Sequence, residues 1–279
     1  MEAAAIDRIS AINDKIAELI NTETVGHALY IPPGATLQHA EQFASAPRFQ
    51  RHRYTTERIG DFIAYAKQSA ADLGEDFAPT AYVRPDGSAA MAVFDHGHDE
   101  SPQWGHHRAV LNLRAAPAWA AADVMTKNLR TQLQVIDWLE DWPEHITAHA
   151  QDGAGIEQRK AITALRRVKI EAKASVVNEE GDLARNRTAL ESIEARGDSE
   201  TLPAYFILHS PLYVGTNLLE IVIRLGVREN DGKPGIALRI VGRERLQEET
   251  SAWVEQTLRD ELGDALAGVY VGELSVGKP

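Results

Sequence analysis

Asp95, His96, His98, Asp99, His106 and His107 crowd into the stretch 95–107, which holds four of the ten histidines of the chain. Imidazole nitrogens and carboxylate oxygens are the donors that zinc, manganese or iron accepts, and a metal-dependent hydrolase or nuclease would draw on such a segment, with Asp137 or Asp141 as an added carboxylate. The spacing argues the other way. Gly97, Pro102 and Gly105 make the stretch a loop, no ligand pair in it is held at helical spacing, and the expectation is solvated turn histidines with no cofactor. His145 and His149 are four apart, but Pro143 precedes them and the glutamate of a zincin motif is missing between them.

Asp137 and Asp141 stand one helical turn apart among Trp138, Leu139 and Trp142. A divalent-ion site could use that spacing, yet an amphipathic helix with tryptophans inward and carboxylates in water explains the same letters. Two basic clusters remain. Arg48, Arg51, His52, Arg53 and Arg58 accompany Phe49 and Tyr54, and Arg159, Lys160, Arg166, Arg167, Lys169 and Lys173 form the second. Arginine beside an aromatic ring can hold phosphate and stack a base. The alternative is a subunit contact to the acidic helix of a neighbouring copy, and Arg48, Phe49, Arg51, Arg53, Tyr54, Arg166, Arg167 and Lys169 are the residues either reading would use.

Composition favours the subunit contact. Lys plus Arg number 29 against 41 Asp plus Glu, a net charge of -12 that repels phosphate, so nucleic acid is not the favoured partner. The negative charge is spread over both halves, unlike the lopsided charge of a dedicated DNA mimic. With no cysteine, disulfides, thiolate nucleophiles, Cys-ligated zinc and iron–sulfur clusters are excluded. No P-loop, dinucleotide fingerprint or nucleophile elbow occurs. No apolar run approaches the ~18 residues of a membrane span, and Met1 to Asp7 lacks the basic and apolar regions of a secretory signal. A cytoplasmic protein without a membrane partner is expected.

The elements that must position these residues are read from periodicity. Ile9, Ile12, Ile16, Leu19 and Ile20 predict an amphipathic helix, and Ala28 to Ile31 a short apolar segment stopped by Pro32-Pro33-Gly34. A second helix carries Ile59, Phe62, Ile63 and Ala66, with Thr55 or Thr56 as its N-cap. Thr80–Val83 and Ala89–Phe94 form a hairpin about Pro85-Asp86-Gly87, and Arg108–Leu113 adds a third strand. Helix spans Pro117 to about Trp142, broken near Thr131, which caps a piece bearing Leu133, Ile136 and Leu139; Pro143 ends it. Then come a basic helix over 156–167, strict alternation over 168–176, strands at 205–208, 219–227 and 236–240, the last two joined at Asn230-Asp231-Gly232, and a helix over 244–262 burying Leu246, Trp253, Leu258 and Leu262. Strands in runs with helices at their ends predict an α+β fold, mainly antiparallel sheets with flanking amphipathic helices. Residues 1–150 form a helix-rich α+β half and 151–279 an antiparallel-sheet half with a terminal helix, as two domains or one intertwined domain.

Tyr30-Ile31-Pro32-Pro33-Gly34, Pro47-Arg48-Phe49, Phe62-Ile63-Ala64-Tyr65, Val93-Phe94-Asp95, Trp104-Gly105-His106-His107-Arg108-Ala109 and Glu140-Asp141-Trp142, in this order, resemble the YfdQ-like proteins of phages and prophages. Leu190-Glu191, Leu202-Pro203 and Leu238-Arg239-Ile240-Val241 continue the likeness over nearly the full chain. The resemblance implies a phage setting, often among early or DNA-metabolism genes, and assigns no catalytic residue, because the family is a conserved domain of unknown function. The resulting expectation is a non-enzymatic, self-assembling phage accessory protein serving phage DNA metabolism or host takeover. Other classes are a counter-defence or decoy factor binding a host or phage protein or a small nucleotide signal, a virion or shell protein, and the metal-dependent hydrolase of the histidine loop.

Overall fold

The computed structural model describes residues 52–73, 77, 79–98, 101–102, 105–167, 202–230 and 233–274. The expected helix around 9–20, the segment 28–31, the alternating stretch 168–176 and the turn residues Asp231 and Gly232 lie outside them, as do Arg48, Phe49, Arg51, Asp99 and Lys169.

Small apolar residues at every second position build the first sheet. Its strands are β1 (Arg53–Thr56), β2 (Thr80–Val83), β3 (Ala89–Val93), β6 (Arg108–Asn112) and β12 (Gly268–Val271), in the order β1-β6-β3-β2-β12. Ala81, Val83, Ala90, Ala92, Ala109, Leu111 and Val269 all point to one buried face. Alanines bring the covering helices close, and α1 (Ile59–Ala71) and α5 (Arg243–Leu262) fill that face with Phe62, Ala66, Val254, Leu258 and Leu262. Between β3 and β6 a small hairpin pairs β4 (Gly97–His98) with β5 (Ser101–Pro102). The β2–β3 turn needs glycine: Gly87 has φ +70, and a Cβ there would lie 2.8 Å from the Ser251 backbone nitrogen on α5. Ser251 in turn donates its hydroxyl to the Arg84 carbonyl at 3.0 Å, so the turn and the helix are fitted to one another.

Full alternation builds the second sheet, β11-β10-β9-β7-β8, from β7 (Ile146–His149), β8 (Gly155–Ile156), β9 (Tyr205–Ser210), β10 (Leu219–Asn230) and β11 (Lys233–Ile240), antiparallel throughout. Ile146, Ala148, Phe206, Leu208, Leu219, Ile221, Ile223, Leu225, Ile236 and Leu238 face a core closed by α2 (Pro117–Lys127), α3 (Gln132–Asp141) and α4 (Gln158–Arg167). The arrangement is α+β with two mostly antiparallel sheets. Thr131 caps α3 through a full capping box with Gln134. No helix among the described residues is long and apolar enough to cross a membrane.

Three local expectations are corrected. Thr55 and Thr56 do not cap α1; they pair in parallel with Val110 and Leu111, Arg58 is the N-cap, and Thr56 accepts the Arg58 N–H at 3.1 Å. Leu133 is 65% exposed, because the inward stripe of α3 runs through Val135, Ile136, Trp138 and Leu139. The edge pairings β1 with β6 and β2 with β12 are parallel, and the expected elements included neither β1 nor β12.

Candidate functional site

The histidine loop is shut by one carboxylate. Asp95 leaves β3 just after Phe94, and its two oxygens accept the backbone N–H groups of His106 and His107 at 2.8 Å each, while its own carbonyl accepts from Gly105 at 3.0 Å. Arg108 donates its Nε–H to the Gly105 carbonyl. Gly105 lies against Val93, so the returning end of the loop rests on the end of β3. Asp95 is thus engaged by the backbone of its own loop.

His107 is 4% exposed and lies among rings: Phe94 at 4.8 Å between centroids, His52 at 6.0 Å edge-on and Tyr65 at 6.3 Å edge-on. Its Nε2 is 3.3 Å from the Tyr65 hydroxyl, and Tyr65 stacks on Tyr54 of β1 at 4.4 Å. Burial holds the His107 pKa below the ordinary histidine value; Asp95 pulls it up and His52 pushes it down. A neutral His107 in the folded chain becomes a proton acceptor on unfolding. Stability contributed by this site is therefore complete above about pH 6.5, the unfolded histidine value, and is lost as the pH falls from there through the lower folded pKa. We expect the thermal midpoint of the protein to fall more between pH 7 and pH 5 than that of His107→Gln; parallel curves would show that His107 carries none of the dependence.

The other candidates are dispersed. His96 and His106 are exposed, and the side chain of His98 lies outside the described part. Among the described residues no three of His, Asp and Glu come together as a metal-holding group. Asp137 and Asp141 face water on α3 while Trp138 is buried behind them. Arg53 is exposed on β1, and Tyr54 belongs to the ring cluster. Arg166 reaches Glu140 of the same chain at 2.8 Å, an acidic helix of its own rather than of a neighbour, and Arg167 is exposed at the end of α4.

The faces turned away from the helices were not singled out by composition or spacing. On the first sheet, register puts Thr55, Val110, Met91, Tyr82 and Tyr270 in one line across all five strands. Tyr82 and Tyr270 approach to 6.1 Å, and Tyr270 is 56% exposed. On the second sheet, register puts His149, Tyr205, Arg224 and Arg239 in one line across four strands, with Arg228 farther along β10. The His149 and Tyr205 rings stack at 5.1 Å with 7° between planes. His149 is held on both sides of its ring: Nδ1–H donates to the Gly153 carbonyl at 3.4 Å, and Nε2 lies 3.0 Å from the Thr147 hydroxyl. The alternation of 219–227 carried the signal for this face in Glu220, Arg224 and Arg228, but strand order was needed to set Tyr205 and Arg239 beside them.

Compared with known proteins, residues 2–274 match a family model described as an uncharacterized conserved protein (DUF2303). No curated protein and no solved structure matches the chain.

Proposed function

The chain belongs to the DUF2303 family, whose model spans nearly all of it, and from that premise we propose that it is a non-enzymatic accessory protein of phages and prophages that works in the host cytoplasm by binding, beginning with copies of itself. The phage setting rests on the motifs from Tyr30 to Val241 that resemble YfdQ-like proteins.

One observation carries the self-association. The face of the first sheet turned away from its helices presents Val110, Met91, Tyr82 and Tyr270 side by side, and this apolar line reaches a strand at the edge of the described sheet, Gly-Val-Tyr-Val, that carries no charge or proline of its own. Water-facing apolar rows at a sheet edge are surfaces that natural proteins cover or guard. Arg259 donates to the Val269 carbonyl and so guards part of the edge. A second copy, applied by a two-fold axis, would bury the row against itself.

Light scattering at tens of micromolar is expected to give a dimer or larger species, and Tyr270→Glu to shift it toward monomer with an unchanged circular dichroism spectrum. A strict monomer for the unaltered chain would overturn the reading.

A further inference from the structure

We propose that the open face of the second sheet binds single-stranded nucleic acid, with Tyr205 and His149 as the stacking platform and Arg224, Arg239 and Arg228 as the phosphate contacts. The face is independent of the apolar row on the first sheet.

The first argument is electrostatic. Arg224 and Arg239 stand directly opposite one another across β10 and β11. Like charges in that position destabilise a strand pair. Among the described residues neither of them, nor Arg228, forms an ion pair, and all three are exposed. The acidic residue aligned with them on β10 is Glu220, whose cross-strand partner is His209, 4.0 Å away. A bound anion between the two arginines would convert a repulsive pair into a clamp.

The net charge of -12 does not forbid this. At physiological salt the Debye length is about 8 Å, so carboxylates on the helices behind the sheet are screened from a ligand on its open side. The field a ligand meets is that of the face it touches.

The second argument selects the ligand. A carboxylate-rich protein would also satisfy arginines, but it has no use for a stacked tyrosine–histidine pair set in the same row. A base does, since every base offers a π-face to an aromatic platform. Four strands at about 4.8 Å spacing make the row roughly 14 Å wide, the reach of a few nucleotides. A duplex keeps its base faces covered and cannot use the platform.

Fluorescence anisotropy with labelled fifteen-residue oligo-dT and oligo-U tests the proposal on the full chain. We expect binding that falls with salt at a log–log slope of roughly -2, from about -0.7 for each of three neutralised phosphates. Arg224→Glu with Arg239→Glu should abolish it. Tyr205→Ala should weaken it on the order of tenfold, and Tyr205→Phe, which keeps the ring, should restore it. Arg53→Glu on the first sheet should leave it unchanged. Absence of binding at 50 mM salt, equal binding to a duplex of the same length, or equal capture of polyglutamate with no effect of Tyr205→Ala would each overturn it. Light scattering on the double arginine variant keeps the two readings apart: the assembly state should not move when nucleic-acid binding is lost.

Discussion

Cutting Phe206 back to alanine is expected to cost about 3–5 kcal/mol of folding stability, the usual penalty for emptying a fully buried aromatic site. Phe206 is 0% exposed at the middle of the second sheet and meets the Trp138 indole edge-on at 5.8 Å. It also sits between Tyr205 and Ile207 on β9, so the side chain that anchors the strand from behind fixes the residue presented in front. Urea unfolding followed by tryptophan fluorescence measures the loss. A change below about 1 kcal/mol would mean that the strand is not seated on α3 as described.

The second large effect is expected at Asp95. Asp95→Ala removes both acceptors of the His106 and His107 amides and should destabilise the protein by roughly 1–3 kcal/mol, chiefly the cost of leaving the partly buried His107 amide without a partner. Asp95→Asn keeps one carbonyl oxygen and should lose about half as much. Hydrogen exchange at the two amides reports the same event locally: both should exchange faster in the alanine variant. Unaltered protection would assign the closure of the loop to Arg108 and Gly105 instead.

Much of the architecture could be read from the chain because it is locally encoded. Pro85-Asp86-Gly87 announces its turn, Thr131 with Gln134 announces a helix start, and the alternation of 219–227 announces a strand buried on one side. Other features depend on distant parts of the chain and have no local sign. β1 and β12 are four residues each and exist only because β6 and β2 offer them parallel edges. Leu133 fits a helical apolar stripe as well as Val135 does, and only the position of the sheet decides between them. For the candidate site, the histidine cluster was legible by composition, but its role was not, because the partner of Asp95 is backbone and backbone leaves no trace in residue types. The line from His149 to Arg239 joins four strands, and no spacing in the chain foretells it.

The closing strand has a consequence for biogenesis. β12 pairs with β2, and α5 packs on the same sheet, so residues from 243 to 271 complete a layer begun at Arg53. While the ribosome is still producing the second sheet, Ala81, Ala90 and Ala92 have α1 over part of their face and an open flank where α5 will lie. Such late, long-range closure raises contact order and prolongs the life of a nascent form with an unpaired edge. The described strands of the second sheet, by contrast, all come from residues 146 to 240, and α5 adds Leu246 to their core, so most of that layer can condense while the closing elements are still inside the exit tunnel. Order of emergence thus separates the two layers in time, and it makes the first sheet the one whose completion waits until β12 has emerged.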